Sequence, residues 1–341
     1  MGIEKCQIVR IGLRLHLSDT TAIHATEHDL CQRNAVHFVE IGSSIDKSQL
    51  QLPVIHAFCK EMQTTIDSHD EELIVICLED DSPTTKRNAC LLCGAYLILC
   101  EGASCHIVLD EFKDLGICFG ACESSDLCLK QESGTNKIEE CWRAIERARN
   151  LRWIQFPHPN DPDPLETDDA PLFDIEMAVH YALPANGDLH VLIPGKLLLF
   201  PPPSQLAAGL HWIDCASQDD PGPARSFSAA FQAELLEEFE VAAVVNPGGT
   251  SPGDAGAFRA RGIDVHHLGW EPGRPALLGA LDRLLALHRA ASAPVAAMFG
   301  GEGPGRGGVE TLAAAWLVTD CGFDGGAAAA WVRMALPAGA P

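Results

Sequence analysis

The sequence predicts an α/β protein with two tandem domains, each built on a mainly parallel central sheet flanked by helices. Its 341 residues are enough for two domains of ordinary size. The apolar run at 72–77 is typical of a strand buried on both faces, as in a parallel sheet. Beyond residue 225, extended apolar segments alternate with amphipathic helical ones, which is the pattern of a parallel sheet covered by helices.

In the first domain, one strand and the helix that follows it can be predicted. The strand at 72–77 leads into an acidic segment, 78–85, which is predicted to be a loop. A helix is predicted from about Arg87 to Cys100, because Gly102 then supplies a typical helix stop.

The boundary between the domains is marked by composition. The stretch 157–171 is rich in Pro and Asp, which predicts an exposed connector. A linker helix is predicted around 173–183. We therefore expect an N-terminal domain over residues 1–172, a linker helix within 173–187 and a C-terminal domain over residues 188–341.

The second domain is predicted to alternate helices and strands. Helices are expected at 226–240 and 275–290, and strands at 241–245 and 294–299. Leucines give the helix at 275–290 an amphipathic stripe, which is expected to face the sheet. The leucines of this stripe are Leu277, Leu278, Leu281, Leu284, Leu285 and Leu287. Further helices are expected after Arg306 and after Phe323.

A glycine-rich segment follows the strand predicted at 294–299 and ends at Arg306. Backbone N–H groups in such a loop, together with the N-terminus of the next helix, form a nest for a dianion. An arginine at the end of the loop can bind two phosphate oxygens in parallel. The candidate phosphate-binding residues are Gly301, Glu302, Gly303, Pro304, Gly305 and Arg306.

The same order of strand, glycine-rich loop, arginine and helix is found in cysteine-dependent phosphatases. Other motifs of the second half resemble, in order and spacing, the second domain of the mitotic-exit dual-specificity protein phosphatases, the cell-division-cycle fourteen type. These motifs are Asn186–Leu189, Ile193–Phe200, Val241–Val245, Arg261–Val265, Gly322–Phe323 and Ala330–Arg333. The first half is similar to the first domain of that family at 86–89 and 94–96, and His180-Tyr181 resembles its linker helix. The resemblance covers residues 35–338.

The resemblance implies two tandem dual-specificity-phosphatase-like domains, with chemistry only in the second. The positions of the nucleophilic cysteine and of the histidine before it hold Gly300 and Phe299. Gly300 has no side chain, so no covalent phosphoenzyme can form there. Gly307 replaces the hydroxyl residue that usually follows the arginine. Glu271 falls at the position of the general acid, an aspartate in the family, and its extra methylene displaces the carboxyl group.

Three functions are compatible with these residues. The first is a pseudophosphatase that binds phosphorylated or basic protein segments, or acts as a scaffold, through a loop that retains Arg306. The second is an active protein phosphatase with an atypical site, using Glu271 and a directly activated water. The third is a zinc-binding or purely structural module. The resemblance favours the first, for which no cofactor or metal is expected, and the oligomeric state is left open.

The formal net charge of −23 argues against a nucleic-acid surface, because such surfaces need clustered Lys and Arg. An acidic surface suits basic peptide segments, although it also serves simply to keep a protein soluble. No run of 18 apolar residues is present, so no membrane span is predicted. We expect a soluble intracellular protein in the cytoplasm, the nucleus or both.

The 14 cysteines do not form a convincing metal or catalytic pattern. Cys90 and Cys93 fall on a predicted helix without a second pair at zinc-site spacing, so buried reduced thiols are expected. Cys77 takes the nucleophile position of the first domain, but Pro83 stands where an arginine is required. The spacing from Cys141 to Arg147 matches Cys-x5-Arg, yet the segment has helical periodicity and no glycine, so it is not expected to bind phosphate.

Overall fold

A computed structural model describes thirteen parts of the chain. They are residues 9–10, 15–18, 36–41, 50–69, 73–78, 83–112, 137–156, 173–207, 209–215, 224–246, 255–268, 274–298 and 306–336. The chain divides into two compact units, Met1–Ala170 with Ala338–Pro341, and Pro171–Pro337. The connector predicted at 157–171 lies outside the described residues.

The first unit contains a four-stranded sheet. Its strands are β1 (Val9–Arg10), β2 (Leu15–Ser18), β3 (Val36–Ile41) and β4 (Leu73–Leu78). Strand β4 lies between β2 and β3 and is parallel to both, whereas β1 is antiparallel to β2. The strand predicted at 72–77 is therefore confirmed as β4, one residue further along, and burial of its residues from Ile74 onward explains the continuous apolar run.

The helices described in the first unit are α1 (Leu52–Ser68), α2 (Pro83–Leu99), α3 (Cys105–Phe112) and α4 (Ile138–Asn150). The predicted start of α2 at Arg87 is four residues late, because the chain is already helical at Pro83. A proline is tolerated in a first helical turn, where its missing N–H has no intrahelical acceptor.

Helices α2 and α4 pack together at a glycine. The Trp142 indole on α4 is fully buried, and its Nε1–H donates to the backbone oxygen of Leu91 on α2 at 3.1 Å. A Cβ atom built on Gly94 would lie only 2.2 Å from the Trp142 ring. The close packing of the two helices therefore requires that residue 94 has no side chain.

Seven strands are described in the second unit. They are β5 (His190–Ile193), β6 (Leu197–Phe200), β7 (Trp212–Cys215), β8 (Ala224–Phe227), β9 (Ala243–Asn246), β10 (Asp264–His267) and β11 (Val295–Met298). Five of them form one sheet in the order β10-β9-β11-β6-β5. All neighbours in it are parallel except β5 and β6, and β7 and β8 form a separate antiparallel pair.

Six helices are described in the second unit. They are α5 (Ile175–Ala182), α6 (Ala229–Glu238), α7 (Ala255–Ala260), α8 (Arg274–Ala291), α9 (Arg306–Asp320) and α10 (Gly325–Ala335). Helix α5 lies within 173–183, where a linker helix is predicted, and it belongs to the second unit. The Tyr181 hydroxyl near its end donates to the Glu238 carboxylate on α6 at 2.7 Å, and this hydrogen bond raises the pKa of Tyr181.

The helix predicted at 226–240 is wrong at its beginning. Ser226 and Phe227 belong to β8, where they pair with Ile213 and Trp212 of β7. Helix α6 begins only after Ser228, whose Oγ accepts the Phe231 N–H at 3.3 Å and so caps the helix. Strand pairing therefore overrides the helical pattern of these two residues.

The core of the second unit joins helices α6 and α7 to one face of the sheet. Leu198, Ala296 and Val244 on the strands pack in one buried cluster with Leu236 and Phe258 on the helices. The residues that alternate with them face the other side of the sheet, as the two-residue period of a strand requires.

The predicted leucine stripe of α8 is only partly buried. Leu281, Leu284 and Leu285 are buried, but Leu278 is 60 % exposed although it lies two helical turns before Leu285. Periodicity identifies the apolar side of a helix but not which turns of that side are covered.

Each unit is thus a mixed α/β structure in which helices flank a mainly parallel central sheet, as the sequence predicts. Among the described residues, no helix combines the length and apolar character needed to cross a bilayer.

Candidate functional site

The predicted loop follows the central strand of the second sheet. Strand β11 lies between β6 and β9, with Met298 level with Phe200 on β6. After β10 the chain crosses back to insert β11 between strands formed earlier. In open parallel α/β sheets, ligands bind at the carboxyl ends of strands where the strand order reverses. The segment after Met298 leaves the sheet at such a point.

Most of the predicted site residues lie outside the described residues. These are Gly300, Gly301, Glu302, Gly303, Pro304 and Gly305 in the loop, with Phe299 before them and Glu271 at the predicted acid position. Arg306 is described as the first residue of α9. The structure thus provides the strand before the loop and the helix after it.

Helix α9 is suited to bind an anion at its beginning. It runs for 15 residues, so its peptide dipoles place partial positive charge near Arg306. The first four N–H groups of a helix have no intrahelical acceptor and can donate to a ligand. A helix beginning directly after the loop is one of the parts that a phosphate cradle requires, and the loop itself lies outside the described residues.

The other end of α9 is held by charged groups. Asp320 pairs with Lys196 in the β5–β6 turn and, at 3.3 Å, with Arg289 on α8. Trp316 Nε1–H also donates to the Asp320 carboxylate at 3.4 Å. The hydrogen bond from Lys196 is the main reason why the pKa of Asp320 is lowered. This cluster ties α9 to both the sheet and α8.

A buried amide lies at the carboxyl end of β6, the strand next to β11. Gln232 on α6 is only 2 % exposed, and its Nε2–H donates to the Pro201 backbone oxygen at 2.9 Å. Its Oε1 has no hydrogen-bond partner among the described residues. The amide therefore fixes the chain where it leaves β6.

A cavity of about 400 Å³ lies further along the same segment. Its walls come from the chain between Pro203 and His211 and from the first turn of α6, Ser228–Ala230. Sequence reasoning missed this cavity. The available signal was the run Pro201-Pro202-Pro203, which marks an irregular segment but not what it encloses.

Cys77 and Cys141, the two cysteines at phosphatase-like positions or spacing, are both buried in regular elements. Cys77 is buried within β4, and Cys141 is buried within α4. Of the nine cysteines described, eight are buried and none is in a disulfide; Cys215 is exposed. Within the described parts of the chain, no three His, Cys, Asp or Glu side chains are grouped to hold a metal ion.

Comparison of the chain with models of known protein families and with curated proteins gives no match.

Proposed function

We propose that the protein is a non-catalytic relative of the mitotic-exit dual-specificity phosphatases, which binds phosphorylated segments of a partner protein. The binding site is the loop of residues 300–306 in the second unit. Arg306 and the loop amides bind the phosphate group, and the missing nucleophile at Gly300 prevents turnover. A protein with such a partner would act in the cytoplasm or the nucleus.

The observation that carries this proposal is the placement of Arg306. It begins a helix of 15 residues directly after the loop that follows the central strand. In the proposed site, the helix dipole, the first N–H groups of the helix and the Arg306 guanidinium bind the same ligand, and each favours a dianion. The loop has four glycines between 300 and 305, so its backbone can approach a ligand closely.

A repeated topology supports the tandem part of the proposal. In each sheet an antiparallel edge pair comes first, β1–β2 or β5–β6. The last described strand of each unit, β4 or β11, then lies between two parallel neighbours. A long helix precedes that strand and another follows it in both units. Two copies of one fold would have this arrangement.

The first copy lacks the residues for phosphate binding. Its segment after β4 contains Glu79, Asp80 and Asp81, which would repel a dianion, and no arginine begins α2. We therefore assign recognition to the second unit alone. The net charge of −23 favours phosphorylated segments that also carry basic residues.

Binding of tungstate, a phosphate mimic, and of a phosphoserine peptide tests the proposal. Isothermal titration should show that Arg306→Ala weakens both by about 10- to 100-fold, the effect of losing hydrogen bonds to a charged group. Arg259→Ala is the matched control. Arg259 is exposed in the last turn of α7, which leads to the amino end of β10 at the opposite edge of the sheet.

Two results would contradict the proposal. If the unaltered protein binds neither ligand, phosphate recognition is wrong and a structural role remains. If it hydrolyses an aryl phosphate faster than Arg306→Ala does, the protein is an active enzyme with an atypical site.

A further inference from the structure

Among the described residues, the hairpin of β7 and β8 has one edge that is paired and one that is not. The Ser228 N–H donates to the His211 oxygen at 2.9 Å, which makes these residues a hydrogen-bonded pair. Because such pairs alternate along an antiparallel ladder, the backbone N–H and C=O groups of Ile213 also point toward β8. The backbone groups of Trp212 and Asp214 consequently point away from β8.

The outer edge of β8 is already used. The Arg225 N–H donates to the Pro184 oxygen at 3.2 Å, and the Phe227 oxygen accepts the Ser204 N–H at 2.8 Å. On β7, by contrast, no backbone group of the described residues pairs with the outward N–H and C=O groups of Trp212 and Asp214. Two donors and two acceptors are thus available on one strand edge.

Strand β7 also lacks the usual protection of an edge strand. Natural edges are blunted by lysine, proline or bulges. Here Trp212 and Ile213 are each 44 % exposed. The only charge on the strand, Asp214, is paired with Arg225 at 2.9 Å. The edge therefore offers apolar surface and backbone hydrogen bonds, without a net charge that would repel another strand.

The cavity of about 400 Å³ lies at the beginning of β7, since Leu210 and His211 line it and lead directly into the strand. Its volume falls in the range of about 300–1,000 Å³ that is typical of ligand pockets. None of the described lining residues is Asp, Glu, Lys or Arg, and Pro203, Leu206 and Ala229 contribute apolar walls. Ser228 caps the α6 N-terminus internally, so the cavity suits an uncharged group better than an anion.

We infer that an extended segment of a partner protein binds here by adding a strand to the outer edge of β7, with one large uncharged side chain in the adjoining cavity. Recognition by strand addition combines main-chain hydrogen bonds for affinity with a pocket for specificity. A second copy of the chain fits less well. If the outward backbone groups of Trp212 and Asp214 in two copies paired with one another, Cys215 of one copy would lie opposite His211 of the other. The side chain of Cys215 is small, whereas the cavity that His211 lines suits a large one.

The probe is a set of fluorescent blocked octapeptides of alternating Thr and Val with one variable position. Fluorescence anisotropy should give an affinity about tenfold higher for Leu, Phe or Trp at that position than for Gly, because apolar area is buried. Asp or Lys should bind no better than Gly. If no peptide binds with a Kd below about 1 mM, the inference is wrong.

Alternate N-methylation of the best peptide tests the strand geometry without altering the protein. Methyl groups on amides that face β7 should lower affinity by about tenfold or more, since each removes a hydrogen bond and adds a clash. Methyl groups on the other amides should have little effect. Equal effects of the two series would rule out strand addition.

Protein variants locate the site. Asp214→Pro removes the outward N–H and should weaken binding by about three- to tenfold, whereas Asp214→Asn retains that N–H and should bind normally. Ala230→Trp should block the cavity, with Ala260→Trp on the exposed end of α7 as control. None of these changes should affect tungstate binding, so this inference and the proposed function can fail separately.

Self-association is the remaining alternative. Sedimentation velocity should show that the sedimentation coefficient depends on protein concentration in the same way with and without Asp214→Pro. A dimer that Asp214→Pro dissociates would overturn the inference and identify a second copy as the occupant of the edge.

Discussion

Gly94 and Trp142 show how one absent side chain can decide the packing of two helices. In the sequence, Gly94 is an unfavourable residue within a helix. It stands out only as part of the stretch 94–96 that carries the family resemblance. The structure gives a steric reason, because the indole of Trp142 lies where a Cβ atom would be. Its hydrogen bond to Leu91 then fixes the ring on α2.

We therefore predict that Gly94→Ala destabilises the first unit. A Cβ atom 2.2 Å from the ring forces the indole or α2 to move, and overpacking of this kind costs about 1–3 kcal/mol. Urea unfolding followed by tryptophan fluorescence measures the loss. Gly279→Ala on α8 is the control, since a Cβ atom there meets nothing within 4 Å and should stabilise by about 0.5–1 kcal/mol.

A double variant identifies the cause. Trp142→Phe shortens the ring, so Gly94→Ala should cost less in that background than in the unaltered protein. If the cost is the same in both, the contact with the indole is not the reason for the destabilisation.

For single residues, the sequence predicts which reactions a side chain can perform better than it predicts the hydrogen bonds that the side chain makes. The absence of a nucleophilic side chain at Gly300 follows from residue identity alone. The burial of Cys77 and Cys141 was predictable because each sits in a strongly patterned element. The Gln232 oxygen, which has no hydrogen-bond partner among the described residues, was not predictable, since it depends on how α6 meets the end of β6, segments that are distant in the chain.

Helix α9 is held at its carboxyl end by charged groups. Its beginning carries Arg306, and its end is held at Asp320 by groups on two other elements. A carboxylate that joins a turn and two helices restrains all three. This ion cluster thus restrains the helix that follows the candidate loop.

Asp320→Asn should lower the free energy of unfolding by about 1 kcal/mol at neutral pH, as expected for a partly exposed ion-pair cluster. The folded pKa of Asp320 lies below its unfolded value of about 3.9. The folded state therefore binds fewer protons, so the stabilisation is complete above the unfolded pKa and is lost as pH falls through the folded pKa.

Urea titrations between pH 7 and pH 3 test this dependence. The difference in stability between the unaltered protein and Asp320→Asn should shrink below about pH 4. Asp282→Asn, at an exposed position on α8, should show no such change. A difference that stays constant over the whole range would mean that the carboxylate charge is not responsible.

Element existence was predicted more reliably than element ends. Strands β4, β9 and β11 and helix α8 lie within a few residues of their predictions because long apolar patterns define them. The hairpin of β7 and β8 was missed because its strands mix polar and apolar residues, with β7 exposed and β8 mostly half-buried, so no apolar run marks them. Because Ser226 and Phe227 pair within the hairpin, α6 also begins later than predicted.

At the scale of the whole molecule, each compact unit has its own sheet and its own buried residues. A unit with a separate core is expected to fold alone. We predict that Pro171–Pro337, expressed by itself, unfolds cooperatively in urea and retains the destabilisation caused by Asp320→Asn. Circular dichroism provides the measurement, and a non-cooperative transition or loss of the Asp320 effect would contradict the prediction.

The position of the last strand has a consequence for synthesis on the ribosome. In both units the last strand of the described residues lies in the middle of the sheet, so β2 and β3, or β6 and β9, have no native contact along their facing edges until it arrives. The nascent chain must hold these open edges for as long as translation takes to reach β4 or β11. Pairing over such sequence distances is slow, and exposed strands can pair wrongly meanwhile. Chaperone binding during translation should therefore be greatest just before each central strand emerges.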